Sequence, residues 1–146
     1  MTMSDEPTPA ARLPLRLRLS DPERPTPLDG AWWPQSSQLS VELADLVNNF
    51  PPDKGRITRA TYCPADWEDS PGRVTTARGY IEAGTLPRED NHLVMLSTSD
   101  RRKLCLVVIP STLSQRQGEA ALEGAVTPQF AASPTLLLAK VTEDPA

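Results

Sequence analysis

KLCLVVIP, residues 103–110, decides the fold. From Leu104 to Ile109 every position is apolar, and Pro110 closes the run. A strand that buries one face alternates apolar and polar residues. A strand that is apolar throughout is buried on both faces. Such a strand lies inside its sheet, and each side of the sheet there must be covered, by helices or by the sheet curling over itself. HLVMLS (92–97) precedes it across the polar turn TSDRR (98–102), so the pair reads as a hairpin.

Proline marks out the rest of the chain. Sixteen prolines stand among the 146 residues, about twice the usual share. Because proline is excluded from helix interiors and central strands, the proline-free windows 35–50, 53–63, 72–86, 88–109 and 111–127 are the expected elements. Ahead of them, Leu13, Leu15, Leu17 and Leu19 alternate with Pro14, Arg16 and Arg18, a strand with one buried face. Pro14 places it at a sheet edge. DPERPTPL (21–28) is a proline-rich connection. In 35–50, Leu39, Leu43, Leu46, Val47 and Phe50 line one side of a helix. Ser36 or Ser37 is its expected cap, and Pro51-Pro52 its stop. GRITRATY within 53–63 is a strand. CPADWEDSP (63–71) is a loop, and GRVTTARGYIEAG (72–84) a strand with a break near Gly79. Ser114 and Gln117 fit a capping box opening a second helix, whose stripe of Gly118, Ala121, Leu122, Ala125 and Val126 suits close packing. The expected fold is therefore α+β: an antiparallel, curled sheet of about five or six strands with two helices packed on it.

Length bounds the chain to a single α+β domain at 12–126, with a disordered tail at 1–11 and a partly apolar tail at 127–146. Whether PTLLLAKV in that tail adds a strand or docks on the body stays open at this level. The formal charge is −4. Asp5, Glu6, Glu143 and Asp144 lie in the tails, which leaves the body close to neutral. A neutral body has no field to attract nucleic acid or an acidic membrane. No N-terminal apolar segment reads as a signal peptide and no window is long enough to span a bilayer, so the expected compartment is the cytoplasm.

GAWWP (30–34), followed by an amphipathic helix, GRITRATY, a loop tryptophan before Pro71 and RRKLCLVVIP (101–110), resembles an uncharacterised actinobacterial family, a domain of unknown function. The resemblance covers about residues 12–126. Its motifs are not catalytic signatures, so it implies a common fold and no reaction.

Recognised catalytic and phosphate-binding patterns are absent. His92 is the only histidine, and Cys63 and Cys105 form no Cys-x-x-Cys pair. A Cys63–His92 dyad, or a metal site adding Cys105, is the enzymatic alternative, but the spacing fits no ligand pattern and Cys105 reads as a core residue. No cofactor or metal is expected. Asp66, Glu68 and Asp69 lack the glycine and terminal glutamate of an EF-hand and read as a solvated loop. Arg16 and Arg18 on the first strand, with Arg56, Arg59, Arg73 and Arg78 on others, make either a solvated face or an arginine-rich surface for phosphate or carboxylate.

That leaves the tryptophans. Pro34 holds Trp33 extended, so Trp32 and Trp33 point to opposite sides and cannot enter the same core. Trp32 is the expected core residue. Trp33, beside a helix N-terminus, is the expected contact for an anionic or polar group. Asp29, Trp32, Trp33, Trp67, Arg16 and Arg18 are thus the candidate binding residues. The expected function is a non-enzymatic binding or protein-interaction module, with an unknown protein or a small anionic ligand as partner. The alternatives are a small enzyme using Cys63 and His92 or loop carboxylates, and an adaptor presenting its leucine-rich tail.

Overall fold

The computed structural model describes residues 14–20, 28–85, 92–126 and 137–139. The N-terminal tail, the connection at 21–27 and most of the C-terminal tail lie outside them. The elements are β1 (Leu17–Leu19), β2 (Gly30–Trp32), α1 (Leu39–Asn48), β3 (Ile57–Tyr62), β4 (Arg73–Thr76), β5 (Gly79–Thr85), β6 (Leu93–Thr98), β7 (Lys103–Val108) and α2 (Gln115–Ala125). Single 3-10 turns stand at Pro52–Lys54 and Pro64–Asp66.

The strands form one seven-stranded sheet in the order β1-β2-β7-β6-β3-β5-β4. It is mixed, which corrects the expectation of an antiparallel sheet of five or six strands. β2 runs parallel to β7, and β3 parallel to β5. The other four pairings are antiparallel. Two features account for the error. β2 is only three residues long, too short to show a period, yet it fills the slot beside β7 that would otherwise be an edge. The stretch 72–84 is two strands rather than one: a turn at Ala77-Arg78 folds β5 back on β4, with Gly79 at φ 125 just beyond it.

Double-sided burial of β7 holds. Leu106 and Val108 face α1, while Val107 and Ile109 face α2, and none exceeds 3% exposure. Each fully buried leucine or valine contributes on the order of 2 kcal/mol. The larger core joins Trp32, Leu39, Leu43, Leu46, Tyr62, Leu96 and Leu106 beneath α1. The smaller one joins Trp33, Val107, Ile109, Ala121 and Leu122 beneath α2, and takes in Leu137 and Leu138. Residues 137–139 are helical, not a strand.

The caps explain where the helices begin. Ser114 accepts from Gln117 N–H, and the Gln117 side chain accepts from Ser114 N–H, the expected box. α1 differs: its N-cap is Gln38, with no side-chain cap bond of its own. Asp69, from the loop after β3, accepts from Leu39 N–H at 2.5 Å and Ser40 N–H at 3.0 Å. Ser36 instead donates to Glu42.

Candidate functional site

β2, β7, β3 and β5 all point the same way, as their pairings through β6 require. The chain leaves β2 for α1 on the Trp32 face, and leaves the adjacent β7 for α2 on the Trp33 face. Connections departing from neighbouring parallel strands to opposite faces open a crevice at the strands' carboxyl ends, where open sheets with helices on both faces hold their ligands. A cavity of about 240 Å³ lies there. Its walls come from the loop after β2 (Pro34, Ser36, Ser37), the loop after β7 (Pro110, Ser111, Thr112), and Asp66, Trp67 and His92.

The walls are fixed. Glu42, 1% exposed, reaches back from the first turn of α1 to accept from Gln35 N–H at 2.9 Å and Ser36 Oγ at 2.7 Å. The Trp33 indole N–H donates to the Pro110 carbonyl at 3.1 Å and so ties one loop to the other. Glu68 N–H donates to the Ser37 carbonyl at 2.9 Å, which docks the third loop. The acidic stretch expected to be solvated is thus a brace: Asp69 caps α1, Glu68 accepts from Ser37 and Gln38 side chains, and Asp66 holds His92.

The Asp66–His92 pair is the titratable centre of the crevice. His92 N–H donates to Asp66 Oδ2 at 2.6 Å, and its ring Nδ1 lies 3.6 Å from Asp66 Oδ1. The Asp66 side chain is 6% exposed. Burial pushes its carboxyl above the ordinary value, against the hydrogen bond and the nearby charge of His92. His92 has φ 66, a left-handed conformation that histidine adopts more readily than bulky residues do. Trp67 lines the same wall, and its indole nitrogen is buried without a hydrogen-bond partner. A buried donor without an acceptor is costly.

The six sequence-predicted residues are not gathered into one site. Trp67 lines the crevice and stacks at a tilt on Trp32, 5.5 Å between centroids. Trp33 is 2% exposed and Trp32 1%, on opposite faces as alternation requires. Asp29 Oδ2 accepts from Cys105 N–H at 2.7 Å and aligns β2 with β7. Arg16 lies 3.7 Å above the Trp33 ring and donates to the Trp33 and Pro34 carbonyls. Burial pulls its guanidinium down, against the pull of Glu42. Arg18 is exposed in a shallow groove shared with Glu119 and Glu123 on α2.

Cys63 is 3% exposed, and neither cysteine is in a disulfide. The histidine ring meets Asp66 instead, a partner that sequence spacing alone did not suggest. Ser36, Ser37, Ser111 and Thr112 were missed as site residues, though a signal was present. WWPQSS and VIPSTLS share one pattern, a strand end, a proline and then hydroxyl residues before a helix. Among the described residues, no cluster of three or more His, Cys, Asp or Glu could hold a metal ion, and no helix is long and apolar enough to cross a membrane.

Residues 16–125 match a family described as a family of unknown function (DUF5994), and the chain belongs to that family. The match assigns neither a source organism nor an activity. No curated protein and no solved structure matches the chain.

Proposed function

We propose that this member of a family without an assigned activity is a small, non-enzymatic binding module of an actinobacterial cytoplasm, holding a small uncharged polar molecule in the crevice. The observation that carries the reading is the crevice's position, at the carboxyl ends of adjacent parallel strands whose helices part to opposite faces. The chemistry of the walls supports an uncharged ligand. Among the described residues no lysine or arginine lines the cavity, while hydroxyl side chains, an imidazole and a buried carboxyl do. Small hydroxyl- or amide-bearing molecules offer both the donors and the acceptors that these groups need. Cysteines outside any disulfide accord with a reducing compartment.

One observation favours a second reading, an enzyme. A buried carboxyl 3.6 Å from a histidine ring is close to the base-and-orienter half of a catalytic arrangement, although its hydrogen bond goes to the histidine backbone. Its nucleophile is missing: among the described residues no serine, threonine or cysteine hydrogen-bonds His92.

Calorimetry with acetamide, glycerol and glucose tests the proposal. At least one should bind the native protein, and His92→Asn should weaken it about tenfold, with Asn chosen because it tolerates the left-handed backbone. No heat from any of the three, or binding indifferent to His92→Asn, contradicts the proposal.

A further inference from the structure

At the other end of the sheet lies a larger cleft, of about 600 Å³, between the carboxyl end of α1, the start of β3 and the β4–β5 hairpin. Its size falls within the usual range for small-molecule sites. Phe50, Ile57 and Ile81 give it an apolar floor and are 7%, 1% and 6% exposed. Arg56, Arg78 and Tyr80 stand on its rim.

The rim guanidinium groups differ from the chain's engaged ones. Arg16 is hydrogen-bonded to two carbonyls, and Arg102 pairs with Asp100 at 2.9 Å. Among the described residues, neither the Arg56 nor the Arg78 guanidinium meets a carboxylate or any hydrogen-bond acceptor. Two nearby carboxylates are otherwise engaged: Asp45 accepts from Asn49 Nδ2 and Asp100 holds Thr98 and Arg102. Asp53 stands on the adjoining 3-10 turn. Tyr80 is 55% exposed, and the Arg73 guanidinium sits 4.0 Å from its ring centroid. The cleft is also held open in advance. Asn48 Oδ1 accepts from Ala77 N–H at 2.9 Å, fixing the hairpin turn to the end of α1. A preformed site spares a ligand the cost of ordering it.

We propose that this cleft is a second binding site, for a small molecule carrying a carboxylate or phosphate on a flat apolar body. The planar guanidinium fork matches both anions, and Phe50, Ile57 and Ile81 line the cleft where the apolar body would lie. The site is independent of the crevice, since it shares no lining residue with it.

Four probes at low ionic strength test it by calorimetry: phenyl phosphate, benzoate, inorganic phosphate and benzyl alcohol. Phenyl phosphate or benzoate should bind at least tenfold more tightly than inorganic phosphate or benzyl alcohol, and which of the two binds better fixes the head group. Arg56→Gln and Arg78→Gln should each weaken the aryl anion about tenfold, and His92→Asn should not. Thermal melts of the arginine variants should match the native protein, because exposed surface substitutions move stability little. Inorganic phosphate binding as well as phenyl phosphate, no binding of either aryl anion, or arginine variants that change the melt but not the affinity would overturn the proposal. The last result would assign the arginines to the negative end of α1 instead.

Discussion

Trp32 and Trp33 are neighbours in sequence, equally buried, and stand in two different cores. Trp32 lies among large side chains, with Trp67, Leu43 and Leu106 in the same cluster. Trp33 lies against a helix of small ones. A Cβ built on Gly118 would sit 2.1 Å from the Trp33 ring, so α2 approaches this indole at a position that has no side chain. Both cores lose stability when their tryptophan is truncated, but the second also has no room to gain volume at Gly118. Adjacent identical residues therefore set different tolerances on the two faces of one sheet.

The largest effect that sharpens this contrast is Trp32→Ala, expected to cost about 3–5 kcal/mol in denaturant unfolding. Trp33→Ala should cost about as much, since both indoles are buried. Their couplings to Gly118 should differ. Leu106→Ala should follow at about 2–5 kcal/mol, and a loss below about 1 kcal/mol would remove β7 from the centre of the sheet. Gly118→Ala comes next. Alanine favours a helix by about 1 kcal/mol over glycine, but the clash with Trp33 should outweigh this and leave a net loss of about 1–3 kcal/mol. In the double variant with Trp33→Ala that penalty should vanish, whereas with Trp32→Ala it should add unchanged. Additivity in both double variants would mean that the two cores do not differ in this way.

The smallest effect concerns the cap of α1. Burial alone would raise the Asp69 carboxyl, but hydrogen bonds from the Ser40 side chain and from the Ser40 and Leu39 backbone hold it below its ordinary value. A lowered folded value makes its contribution complete above about pH 4, the ordinary carboxylate value, and lost as the pH falls through the lowered one. Asp69→Ala should therefore cost about 1 kcal/mol at neutral pH, and the gap to the native protein should close in acid. A gap that stays constant down to pH 2 would show that the carboxylate charge plays no part.

Local rules were enough wherever the cause was local. The double-sided burial of β7, the 92–109 hairpin, the Ser114 capping box, the stop at Pro51 and the opposed tryptophans all follow from side chains a few residues apart. The failures are long-range. β2 has no period of its own; it is a strand because β7 offers a partner, and Gly30 lets β1 come close, since a Cβ there would meet the Arg18 carbonyl at 2.1 Å. The cap of α1 comes from Asp69, some thirty positions along the chain, where a serine next to the helix was the obvious choice. The crevice depended on the same missing fact. Two Pro-Ser loops meet only if their strands are parallel neighbours, and no residue in either loop encodes that pairing.

The central claim, that the switch-point crevice is the ligand site, can be read from the three indole N–H signals of the native protein in a nitrogen–proton correlation spectrum. Each tryptophan reports a different place: the large core, the tie between the loops, and the crevice wall. During titration with acetamide, glycerol or glucose, the Trp67 signal should move saturably, because its ring lines the crevice. The Trp33 signal should move far less, since its N–H is held by Pro110. A Trp67 signal that stays fixed while another probe of the same molecule saturates elsewhere would contradict the account.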